Sequence, residues 1–151
     1  MGAETATGDP EVDRIWFAPN VWPVEVPLLQ RLVMDYTAEM RRVSDELLDL
    51  CSHALRLPAN PWAALAKVPT WTMNINHYPP VSVVGRPEPG QFRIGPHTDF
   101  GTVTILDREP GAGGLQVYSA EAGWEDAPYD PEALTVNIGD LLEYWSGRRW
   151  P

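Results

Sequence analysis

Leu29, Val33, Tyr36, Met40, Val43, Leu47, Leu50 and Ala54 recur at steps of three and four residues. That spacing draws one apolar stripe down a long helix, predicted over residues 27–55. Pro58 closes it, and Asn60-Pro61 announces a short second helix reaching about Lys67. Past Pro69 the period changes. Trp71, Met73 and Ile75 alternate with Thr72, Asn74 and Asn76, the pattern of a strand. Short strand-like runs follow at 91–94, 102–106, 115–118, 134–138 and 141–145, divided by turns such as Gly111-Ala112-Gly113-Gly114 and Asp130-Pro131.

This order predicts an extended lead-in over residues 1–26, a helical segment over 27–68 and an all-β segment over 69–151. Many short strands with frequent turns suggest a sandwich or barrel. No flexible linker separates helix from strands, so the helix is expected to pack outside the sheet within one domain.

Composition narrows the partners. The 151 residues carry a net charge of −10 spread along the chain, which disfavours nucleic acid, whose phosphates need a basic face. No apolar run is long enough to span a membrane, and the N-terminus lacks the basic-then-apolar order of a signal peptide. Cys51 is the single cysteine, so no internal disulfide forms, and a cytoplasmic location is expected. Its place in the helical stripe makes it a packing residue.

Candidate chemistry sits in Gly95-Pro96-His97-Thr98-Asp99-Phe100-Gly101. In extended chain, residues i and i+2 point to the same side. His97 and Asp99 can then offer an imidazole nitrogen and a carboxylate to one metal. Two histidines and a carboxylate on one octahedral face suit Fe(II) and leave positions open. In isolation the triplet would sooner be structural, because His-x-Asp also arises by chance. A second signal is Asn74-Ile75-Asn76-His77-Tyr78-Pro79-Pro80. Alternation sets Asn74, Asn76 and Tyr78 opposite an apolar face. Two amides and a phenol suit a carboxylated ligand if that face looks inward, and an exposed outer strand if it does not. The run from Leu134 through Asn137, Gly139 and Asp140 to Trp145 indicates architecture only.

The order of these motifs decides. Asn-x-Tyr-Pro, then His-Thr-Asp, then Gly-Gly-Leu-Gln-Val, then Asn-Ile-Gly-Asp-Leu-Leu-x-x-Trp-Ser resembles the isopenicillin N synthase-like branch of the Fe(II)/2-oxoglutarate oxygenases. The resemblance is close over residues 74–151 and looser upstream. It implies a mainly β, double-stranded β-helix (jelly roll), incomplete here, with the long helix packed outside. It implies His97 and Asp99 as iron ligands, and Asn76 and Tyr78 as holders of 2-oxoglutarate. It leaves open whether Leu115 and Val117 or Gln116 and Tyr118 face the site. The cofactors implied are Fe(II), 2-oxoglutarate as cosubstrate and O2, for hydroxylation, desaturation or cyclisation of a small organic molecule. It gives no oligomeric state.

The same resemblance implies a second histidine well downstream of Asp99, followed by an Arg-x-Ser for the far carboxylate of 2-oxoglutarate. The histidines are His53, His77 and His97, and Arg148 and Arg149 come too early for that arginine. His77 is expected to face away from Asn76 and Tyr78, and His53 to lie off the apolar stripe. The chain alone is therefore expected to lack the third ligand and to be inactive. The alternative function is an inactive fragment or a non-catalytic binding module on the same scaffold.

Overall fold

The computed structural model describes residues 1–4, 7–110 and 113–150. The chain divides into two compact units, Met1–Pro96 and His97–Pro151.

The first unit is helical. Helix α1, Pro10–Trp16, occupies part of the stretch expected to be extended. Asp9 caps it by accepting from the Glu11 and Val12 backbone N–H groups, and Pro10 sits in its first turn. The lead-in expected over residues 1–26 is therefore helical in part, because Asp9-Pro10-Glu11 makes a capped helix start.

Helix α2, Leu29–Ala54, occupies the long amphipathic stretch. Its early stripe holds, with Val33 buried and Tyr36, Met40, Val43 and Leu47 half-buried. The later part departs, since Leu50 is 62% exposed while Leu48 and Ser52 are buried. The cause is geometric. Steps of three and four average 3.5 residues, and a straight helix drifts about 20° per heptad from such a repeat. Cys51 is consequently half-buried, and desolvation pushes its thiol pKa up. His53 is exposed, with Asp49 one turn before it at 3.5 Å.

The short helix α3, Trp62–Leu65, packs on α2. Asn60 Oδ1 accepts from the Trp62 and Ala63 N–H groups, at 3.0 and 3.1 Å. Trp62 is buried, and Arg41 of α2 donates to the Ala66 carbonyl at 2.8 Å. The expected strand at 71–76 is extended chain carrying one isolated bridge, Gly2 to Thr72. After Pro80 comes α4, Val81–Val84, and the strand expected at 91–94 does not form.

The second unit holds two antiparallel pairs. β1, Val103–Leu106, pairs with β4, Thr135–Ile138, with Thr104 opposite Asn137. β2, Gln116–Ser119, pairs with β3, Gly123–Asp126, a strand not expected from the sequence. Gly111 and Ala112 of the expected turn lie outside the described residues. The run at 141–145, expected as a strand, is helix α5, Asp140–Trp145. Five residues do not separate period 2 from period 3.6. Leu142 and Ser146, four apart, are the buried positions, and Leu-Leu-Glu favours helix. Among the described residues no helix is long and apolar enough to cross a membrane.

Candidate functional site

The loop entering β1 carries His97 and Asp99, and the turn from β4 into α5 holds that loop. The first N–H groups of a helix have no partner inside it. Here Asp140 N–H donates to the Asp99 carbonyl at 2.7 Å and Leu141 N–H to the Gly101 carbonyl at 3.1 Å. Just before them, Gly139 N–H donates to the Thr102 carbonyl at 3.0 Å. Formation of α5 in place of a strand therefore ties the His-x-Asp loop to the end of β4. Side chains add to this, since Thr98 Oγ1 donates to Asp140 Oδ2 at 3.0 Å.

Gly139 is buried in this junction. Its backbone, φ −97° and ψ 170°, suits any residue. Glycine is needed for space, because a Cβ there would lie 2.4 Å from the Gly101 carbonyl oxygen and 2.8 Å from that of Asp99.

The side chains of His97 and Asp99 are brought together, as i, i+2 spacing led us to expect. His97 Nε2 lies 3.7 Å from Asp99 Oδ1. The imidazole is 57% exposed and the carboxylate 31%, so both are reachable from solvent. The other carboxylate oxygen, Oδ2, accepts from Asn137 Nδ2 at 2.8 Å. Hydrogen bonding from the Thr104 hydroxyl, then from the Asn137 amide, and the charge of His97 hold the Asp99 carboxyl below the ordinary carboxylate range. Partial burial opposes them. Asp99 is thus held as an anion with one oxygen toward an imidazole, which is the donor chemistry a divalent cation takes. Among the described residues no group of three or more His, Cys, Asp or Glu converges, so the pair is a two-donor set.

Sequence reasoning placed Asn137 in a run read as architecture and did not single out Thr104. Their signal lay in strand register: as cross-strand partners they share one face of the β1–β4 ladder.

Asn76 and Tyr78 lie in the first unit on irregular extended chain, and both are exposed. The Arg93 guanidinium stacks 5.1 Å from the Tyr78 ring centroid. On β2, Gln116 and Tyr118 are engaged by β3: Gln116 Nε2 donates to Asp126 Oδ1 at 3.1 Å, and the Tyr118 and Trp124 rings lie 5.4 Å apart.

Residues 70–151, more than half of the chain, match the family model of the 2OG-Fe(II) oxygenase superfamily. The chain belongs to this superfamily. It is 41% identical over 150 residues to Validamycin A dioxygenase of Streptomyces hygroscopicus subsp. limoneus, covering 99% of this chain and 41% of that protein. It is 33% identical to the 2-oxoglutarate-dependent dioxygenase eupC of Phoma sp, covering 95% of this chain and 47% of that one. Among solved structures, full-length Neurospora crassa T7H in complex with alpha-KG matches with a TM-score of 0.73 and 25% identity, over 98% of this chain and 44% of that one. The fold is that of the 2-oxoglutarate oxygenases, the double-stranded β-helix class, represented here by part of its length. The chain spans under half the length of each of these relatives.

Proposed function

We propose that His97 and Asp99 are two protein ligands of a mononuclear Fe(II) centre and that Asn76 and Tyr78 hold the carboxylate of 2-oxoglutarate. On this reading the whole protein carries out Fe(II)- and 2-oxoglutarate-dependent oxidation of a small organic substrate. The observation that carries it is the 3.7 Å approach of His97 Nε2 to an Asp99 oxygen on a loop pinned at both backbone and side chain. Superfamily membership supports it, as does the dioxygenase activity for which these relatives are named.

When bound, Fe(II) with 2-oxoglutarate supplies activation of O2, the cosubstrate leaving as succinate and CO2. The residues of this chain hold and orient. His97 offers an imidazole nitrogen, and Asp99 an anionic oxygen that offsets part of the cation's charge. The amide of Asn76 and the phenol of Tyr78 offer hydrogen bonds to a carboxylate.

Anaerobic titration of Fe(II) and 2-oxoglutarate into the chain tests the reading. A visible metal-to-ligand charge-transfer band is expected, and His97→Ala is expected to abolish it. A folded chain that gives no band would instead favour a non-catalytic module on this scaffold.

A further inference from the structure

We propose that Asn137 is a positioning residue that keeps the Asp99 carboxylate monodentate toward its metal, an inference that rests on the metal-pair reading above. The two oxygens of Asp99 have different surroundings. Oδ1 faces the His97 imidazole at 3.7 Å, and Oδ2 accepts from Asn137 Nδ2 at 2.8 Å. An ionised carboxylate is acceptor-only, so the amide turns its NH2 to it. A carboxylate with both oxygens free can bind a cation through one or both. An amide donor fixed on Oδ2 leaves Oδ1 as the oxygen available to the metal. A bound cation would then meet Asp99 through one oxygen only.

The aim of Asn137 is set by the fold rather than by the metal. It lies on β4, paired in register with Thr104 on β1. Two residues later Gly139 and then Asp140 bind the backbone of the same loop, to the Thr102 and Asp99 carbonyls. Asp99 is therefore gripped by main chain and side chain from one strand end. Partners of this kind orient ligands without touching the ion, and their loss typically weakens metal binding by about 10–100-fold.

Co(II) is the probe, titrated into the full 151-residue chain. Affinity is read by calorimetry, and coordination number by the intensity of the visible d–d bands. Asn137→Leu keeps the size and removes the donor. It is expected to bind Co(II) about 10–100-fold more weakly, with altered d–d intensity, and Asn137→Ser, which restores a hydroxyl donor, to recover part of both. Circular dichroism checks the fold. If the leucine variant does not fold, Asn137→Ala is read in its place against the same criteria. A folded variant with wild-type affinity and spectrum overturns the proposal. So does weaker binding with the wild-type spectrum, which marks a merely structural role. Asp99→Ala separates the two readings. If it binds as well as wild type, or if wild type binds no Co(II), the metal pair itself fails and this inference with it. If Asp99→Ala loses binding and Asn137→Leu does not, only the role of Asn137 fails.

Discussion

Gly139 lies so close to Gly101 that a single methyl group on it would meet the Gly101 carbonyl oxygen at 2.4 Å. Both partners in that clash are backbone or fixed to it, so no rotamer change relieves it. Gly139→Ala is expected to push α5 from the His-x-Asp loop and lengthen the bonds from Asp140 and Leu141. The cost should fall in the range of about 1–3 kcal/mol typical of overpacking. Urea unfolding checks it. A variant as stable as wild type would show that the junction yields to an added methyl group.

Thr98 lies between the two site residues and ties its hydroxyl to Asp140 Oδ2. The pair is exposed, so its worth is modest. Thr98→Val is expected to lose about 0.5–1.5 kcal/mol, the usual net value of one such bond. Comparison with Asp140→Asn, which keeps an acceptor oxygen, isolates the contact. If both variants unfold alike, the loss belongs to something other than this hydrogen bond.

The site was legible in part. The i, i+2 spacing of His97 and Asp99 brought both to one side because it needs no tertiary information. The pairing of Thr104 with Asn137 was invisible, because the two are thirty-odd residues apart and meet only through the register of β1 and β4. The strand-or-helix choice at 141–145 failed because a five-residue apolar run fits both periods. The binding of its N–H groups to a remote loop, which favours the helix, is again tertiary. The long helix was the opposite case. Its pattern lasted through seven turns, so its existence was plain, while its buried face rotated by the drift of a 3.5 repeat.

In the first unit, α3 depends on the Asn60 cap that precedes the buried Trp62. Asn60→Ala leaves two N–H donors without that oxygen and is expected to cost about 1 kcal/mol. Asn60→Asp keeps the acceptor and should restore most of it. Chemical denaturation of the three proteins decides. A harmless Asn60→Ala would mean that packing of Trp62 alone holds α3 against α2.

The last prediction concerns pH and the metal-free chain. The Asp99 carboxyl is held low in the folded state, chiefly by Thr104, then by Asn137, and by the charge of His97. A carboxyl whose pKa is lower folded than unfolded binds fewer protons in the native state, so it contributes stability at neutral pH. That contribution is complete above the ordinary carboxylate value of about 3.9. It declines as pH falls below that value toward the lowered folded one, and is lost once the group is protonated in both states. Thr104→Val removes the strongest of these influences, so the folded carboxyl should titrate nearer to its unfolded value. The variant is expected to lose stability near pH 7 and to show a shallower decline with acid over the window below about 4. Urea unfolding in the presence of a chelator, repeated at steps between neutral and acid pH, measures both slopes. Parallel curves for wild type and Thr104→Val would show that Thr104 does not set the charge state of Asp99. The Asn137 amide would then be the group that does, and Asn137→Leu should flatten the curve instead.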